Sequence, residues 1–232
     1  MSFVSVLTWC YSRQEMLDIT LPLLMQQEGI DYEVIVGRGP EIKVPQHWTP
    51  PIIKTTVTEK CAINKAYNQM MACAKGDILL ITQCDMQFNS PFQIKRMLDK
   101  WHGRNMVTEK FFKNGGRDPG LYLQCCLVAK ADIEKVGGWC EEYDDPGMAA
   151  HEDADLIARL LKSGLDLDHT EASAEEGVYH IEHPKPDYHS DPVILARLAK
   201  AKALFDSRNK EGVHHLYTKQ FIRHMMSKKV AI

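Results

Sequence analysis

Three nearly unbroken apolar runs, FVSVLT at residues 3–8, YEVIV at 32–36 and DILLIT at 77–82, restrict the fold of this chain more than any other feature. A strand with water on one face alternates apolar and polar residues, whereas a run apolar on both parities needs both faces covered, as in a parallel sheet between helices. Helical stretches separate the runs, at 13–27, where Pro22 is expected to break or restart the helix, and at 61–74; residues 52–57 read as a further strand. This rhythm predicts a mainly parallel, Rossmann-like α/β sheet flanked by helices. Ligands of such sheets sit beyond the carboxyl ends of the strands, which places residues 9–13, 37–39 and 83–86 around one crevice.

The chain has 232 residues, 44% of them hydrophobic, enough for one substantial core and too few for two ordinary catalytic domains. There is no run of about 18 apolar residues and no basic-then-apolar leader, so a cytoplasmic protein without a transmembrane segment is expected. Seven cysteines (10, 61, 73, 84, 125, 126 and 140) include no CxxC pair, and an odd count fits reduced thiols better than a disulfide framework. The formal charge of −3 is uneven, since residues 196–232 hold nine Lys/Arg against two Asp/Glu. A basic tail of that kind can meet an anionic ligand or form a solvated helix face. The rhythm weakens after residue 110: KNGGRDPG (113–120) reads as a flexible loop, LYLQCCLV (121–128) and residues 178–182 as strands, and the region from Pro192 as helical, with Leu195, Leu198, Ala201, Phe221, Ile222 and Met225 as apolar positions. Residues 1–190 are therefore assigned to one domain and 191–232 to a basic C-terminal helical extension packed on it. Nothing in the sequence sets an oligomeric state.

The segment GGWCEEYDDPGMAAHEDADL (137–156) is the strongest pointer to a site. From Glu152 onward, Leu156, Ile157, Leu160 and Leu161 recur at helical spacing, with Asp155, Arg159 and Lys162 largely on another face, and Ser163-Gly164 supplies a stop. Glu152 and Asp153 thus fall in the first helical turn, where two acids complement the helix dipole by a few tenths of a kcal/mol whatever else they do.

This segment resembles the second half of GT-A-fold glycosyltransferases of the family-2 type and their galactosyltransferase-like relatives, in which a GGFDE turn precedes GEDxDL. Gly137, Gly138, Trp139, Cys140 and Glu141 match the turn, with Trp for Phe and Cys for Asp; Glu152, Asp153, Asp155 and Leu156 match the second motif. The resemblance implies that Asp153 is the general base, that Glu152 binds acceptor hydroxyls or orients the helix, and that Trp139 is a sugar or acceptor platform. It extends to AINKAYNQMMACAKGDILLITQCDMQF (62–88), similar to the family stretch leading into a metal-binding Asp-x-Asp. Asn64 takes the Asn position there, Asp85 the second acid and Gln83 the place of the first, with Cys84 between them. TWCYSR (8–13) stands where the family carries PxYNR, so Thr8, Trp9, Tyr11 and Arg13 are expected at the donor. Arg38 replaces an Asp that ordinarily binds base or ribose, and VGRG (36–39) does not fit the GxGxxG dinucleotide pattern.

A sugar-nucleotide leaving group is a diphosphate, and a cation held by carboxylate oxygen neutralises the charge that develops on it. Asp85 offers one ligand, and His180 and His183 of YHIEHPKPDYH (179–189) offer imidazoles, which favour Mn²⁺ over Mg²⁺. A spacing of three sends side chains to opposite faces of a flat strand, so a shared cation needs a bend there; His183 is the better candidate of the two. The expected function is metal-dependent, inverting transfer of a hexosyl or pentosyl group from a nucleotide-sugar donor, by the resemblance a UDP-sugar, to a hydroxyl of a glycan or of a modified nucleobase in DNA. The missing carboxylate at Gln83 keeps open a non-catalytic nucleotide-sugar-binding module. A nucleotidyltransferase has no support, since no Gly-rich basic loop suits a triphosphate.

Overall fold

The computed structural model describes residues 3–45, 52–57, 59, 62–113, 116–117, 123–146, 151–183 and 191–209. The expected alternation is present: β1 (Phe3–Cys10), α1 (Gln14–Leu24), β2 (Asp31–Arg38), β3 (Ile52–Val57), α2 (Ile63–Cys73), β4 (Ile78–Gln83), β5 (Met86–Phe88) and α3 (Gln93–Lys100). There follow β6 (Asn105–Glu109), β7 (Phe112–Lys113), β8 (Gly116–Arg117), β9 (Cys125–Ala129), α4 (Lys130–Lys135), a 3₁₀ turn (Glu141–Asp144), α5 (Glu152–Lys162), β10 (Asp166–Thr170), β11 (Val178–His180) and α6 (Pro192–Arg208). Most of the loop expected at 113–120, and the apolar positions 221, 222 and 225, lie outside the described residues.

Seven strands form one sheet in the order β10-β6-β9-β4-β1-β2-β3, and β5, β11, β7 and β8 form a second, smaller sheet. Within the large sheet β1 pairs in parallel with both β2 and β4, while β9 runs antiparallel between β4 and β6. The apolar runs divide their side chains between two cores. Val4, Val34, Ile78 and Leu80 face Leu17, Leu21 and Leu24 of α1 together with Ile94 and Met97 of α3. Leu7, Ile35, Leu79 and Ile81 face Tyr67 and Met70 of α2 together with Leu156 and Leu160 of α5. Burial on both faces is why these strands read as continuous apolar stretches.

Two expectations about helices are corrected. Pro22 neither breaks nor restarts α1 but lies inside it, two residues before its end. The ring deprives only the Asp18 carbonyl of its partner, and Asp18 is exposed, so water can take the vacant acceptor. Asp155 is not on an exposed polar face: it is fully buried, accepting from Arg159 Nε at 2.9 Å and from Arg208 Nε and Asn209 Nδ2 at 3.2 Å each. Those bonds fasten the end of α6 to α5, beside a small core of Tyr143, Ala158, Ala201 and Phe205. The first turns of α6 make less contact, and Leu195, expected on its apolar face, is 42% exposed.

The chain leaves β1 for β2 on one side and later returns to β4 on the other, so the carboxyl ends of β1 and β4 flank a topological switch point, the usual place for a ligand crevice in an open sheet.

Candidate functional site

The crevice at that switch point has a volume of about 240 Å³ and is lined by Trp9, Tyr11, Ser12, Arg13, Gln83, Cys84 and Asp85. All seven fall within the stretches 9–13 and 83–86 that the strand pattern places at the crevice. The β1·β4 register sets Trp9 opposite Gln83, and Cys84 N–H donates to the Trp9 carbonyl, so the two strand ends open together. The Trp9 and Tyr11 rings stack at 6.4 Å with an interplanar angle of 24°. Gly39 is required beside them, since a Cβ there would lie 2.0 Å from the Tyr11 carbonyl oxygen. A more open groove of about 500 Å³ lies at the far end of α1, against Phe88, Asn89 and Pro91, and carries Glu28 as its one ionisable lining residue.

At one side of the crevice Asp85, His180 and His183 bring one ligand atom each to within 4.8 Å of one another. The bend that their spacing demands is present: β11 ends at His180, Ile181 N–H donates to the Asp85 carbonyl at 2.7 Å, and the chain then leaves strand geometry. His183 Nε2 lies 3.2 Å and His180 Nε2 3.6 Å from Asp85 Oδ2. Asp85 is 3% exposed, and its Oδ1 is buried with no hydrogen-bond partner among the described residues. An unsatisfied buried carboxylate oxygen is costly, and one oxygen with two imidazoles is a donor set suited to a first-row transition cation, so these residues fit a divalent metal. Arg13 Nη1 reaches the same group, at 3.3 Å from Asp85 Oδ2 and 2.9 Å from His183 Nε2.

The acid pair is held on the opposite core. The chain enters α5 through His151, whose φ of 71° is left-handed, and the helix begins at Glu152. Glu152 and Asp153 are both partly buried in the first turn of α5. Burial, then the neighbouring Glu152 charge, pushes Asp153 up to about 8, against a bond from the Leu123 amide that favours its ionised form. Burial likewise raises Glu152, assisted by the Asp144 charge. The charges of both groups act on Tyr67. Its hydroxyl donates to the Thr82 carbonyl at 2.7 Å, and burial, then the charges of Asp153 and Asp85, push its pKa well above the ordinary tyrosine value.

Four expected contacts lie elsewhere. Thr8 is fully buried within β1. Arg38 turns back on its own loop and donates to the Gly39, Pro40 and Ile42 carbonyls. Asn64 is buried, and its backbone and side-chain N–H groups both donate to Asp144 Oδ1 at 2.9 Å. Trp139 is 3% exposed and stacks on Tyr67 at 5.1 Å, so its ring is core and presents no open face to a ligand.

What the sequence did not disclose is how the Gly-Gly-Trp segment is held. Gly137 and Gly138 both have positive φ and end α4 with their amides on the Glu134 and Ile133 carbonyls. Asn68 then grips the next residue, its Oδ1 accepting from Trp139 N–H and its Nδ2 donating to the Trp139 carbonyl and Glu141. Asp144 caps α2 from a distance, its Oδ2 accepting from Lys65 N–H. Asn64 and Asn68, four residues apart on one face of α2, are the one visible hint.

The sequence matches no protein-family model and no curated protein. The fold does have solved counterparts. A mannosyltransferase from Pyrobaculum calidifontis, PcManGT, in complex with GDP-Man and Mn²⁺, superposes with a TM-score of 0.59 at 15% identity over 87% of this chain and 69% of its own. S. aureus TarS 1–349 in complex with UDP-GlcNAc superposes with a TM-score of 0.68 at 15% identity over 91% of this chain and 67% of its own. The longer S. aureus TarS structure gives 0.60 at 16% identity, and there the match spans 44% of that chain. The chain therefore has the fold of GT-A-like glycosyltransferases.

Proposed function

We propose that this protein is a metal-assisted glycosyltransferase that moves a sugar from a nucleotide donor to an acceptor hydroxyl with inversion. The observation that carries the reading is the Asp85, His180 and His183 cluster at the mouth of the crevice, on a fold whose solved counterparts carry GDP-Man with Mn²⁺ and UDP-GlcNAc, with the α5 acids near enough for their charges to act on the same Tyr67 hydroxyl as that of Asp85. A divalent cation held by these three residues would neutralise the charge that develops on a leaving diphosphate. Trp9 and Tyr11 give the nucleoside base an aromatic wall, and Arg13 supplies a positive charge at the same rim. Asp153, once ionised, accepts the proton of the acceptor hydroxyl, and Glu152 beside it binds and orients acceptor hydroxyls. Inversion goes with a single base that would activate the acceptor for direct attack on the face opposite the leaving diphosphate.

The acceptor is a hydroxyl of a glycan or of a modified nucleobase in DNA; among the described residues Lys200, Lys202 and Arg208 of α6 pair with Asp145, Asp206 and Asp155. The test is turnover of GDP- and UDP-sugars, followed as release of nucleoside diphosphate with Mn²⁺ present. Asp153→Asn is expected to lose about 10²–10⁴-fold in kcat with donor binding retained. Donor binding without turnover by the wild-type chain, with every acceptor offered, would favour the non-catalytic binding module instead.

A further inference from the structure

The contact between Arg13 and the presumed cation ligands goes beyond this reading while resting on it. A guanidinium has donors only, so at 2.9 Å from Arg13 Nη1 the His183 Nε2 must be the acceptor, and the ring then carries its proton on Nδ1. That lone pair also lies 3.2 Å from Asp85 Oδ2. Two acceptors at this distance repel one another unless a positive group lies against both, and Arg13 Nη1, 3.3 Å from the same Asp85 oxygen, is that group. A metal would claim the same two atoms. Asp85 and His183 side chains are 5% and 9% exposed, whereas that of Arg13 is 38% exposed and reaches in from the rim of the crevice. The ligands are fixed and the guanidinium is the part free to leave.

We propose that Arg13 is an internal counter-cation that occupies the metal seat through its contacts with Asp85 and His183 and must withdraw for a divalent cation to bind. Metal and guanidinium compete for one pair of atoms, so the site stays charge-compensated between turnovers. Metal entry releases Arg13 to the rim, where a diphosphate would arrive.

Mn²⁺ binding measured by electron paramagnetic resonance, without nucleotide, tests this independently of turnover. Arg13→Met keeps the length of the side chain and removes its charge, and it is expected to bind Mn²⁺ about 10-fold more tightly than wild type, a coupling of ordinary size. Unchanged or weaker affinity in a variant with wild-type circular dichroism overturns the competition. If Asp85→Asn abolishes Mn²⁺ binding while Arg13→Met leaves it unchanged, the competition fails and the metal reading stands; if no form of the chain binds Mn²⁺, both fall. The wild-type chain gives a second readout should the variant misfold: the ¹⁵N guanidinium resonance of Arg13 is expected to shift on addition of diamagnetic Zn²⁺. A resonance indifferent to saturating Zn²⁺ contradicts the proposal.

Discussion

Asp153, the proposed base, also bears a cost of burial. Burial raises it to about 8, whereas an unfolded chain ionises it near the ordinary value of 3.8. The folded state thus holds a proton that the unfolded state releases, so this group's contribution to stability is complete below about pH 4 and is lost as pH rises to about 8. Asp153→Asn should flatten that decline, raising the melting temperature at pH 8 relative to wild type; a parallel pH profile in the two proteins would refute the assignment. Activity runs the other way. A base must be ionised, so kcat/KM should climb with pH along a limb with an apparent value near 8, shared with Glu152 as a coupled pair. Asp85, His183 and the α5 acids were legible because each belongs to a short local pattern. Asp144 and Asp155 were not, because the Asn64 partner that makes Asp144 a cap lies 80 residues away and the Asn209 partner that makes Asp155 an anchor lies 54 away, while the local Asp155–Arg159 pair looks like any exposed i,i+4 pair in sequence.

At the scale of elements, α2 and α5 are positioned by polar side chains rather than by packing alone. Asp144→Ala removes the acceptor for three N–H groups at the start of α2 and should cost about 1–2 kcal/mol in urea unfolding. Because Asp144 also adds to the charge that raises Glu152, the same variant should shift the pH limb downward. Asp155→Ala leaves Arg159 and Arg208 facing a vacated buried position and should cost about 3 kcal/mol. Limited proteolysis checks the location of the damage: α6 should become cleavable before the sheet does. β1–β4, β9, β11, α1, α2, α5 and α6 were readable from the sequence pattern, whereas α3, α4, β6, β10 and the short strands β5, β7 and β8 were not predicted. Trp139 was misplaced in the cleft because an aromatic after Gly-Gly looks the same in sequence whether it packs on Tyr67 or meets a ligand.

For the whole molecule, topology explains why distant motifs share one crevice. β1 and β4 are adjacent although their paired residues, Val4 with Ile78 through Trp9 with Gln83, lie 74 positions apart in the sequence. Strand order cannot be read from apolar runs alone, and the antiparallel β9 between β4 and β6 had no sequence signal of its direction. The resulting sheet brings Trp9, Tyr11 and Asp85 together at the carboxyl ends of β1 and β4, and the proposed function rests on a nucleotide sugar and a cation binding there. Calorimetric titration of nucleotide sugars into the wild-type chain and Asp85→Asn, with and without Mn²⁺, tests it most directly. Saturable binding that requires Mn²⁺ and weakens at least about 10-fold in Asp85→Asn is predicted; binding of no nucleotide sugar, or binding indifferent to both Mn²⁺ and Asp85, would contradict it.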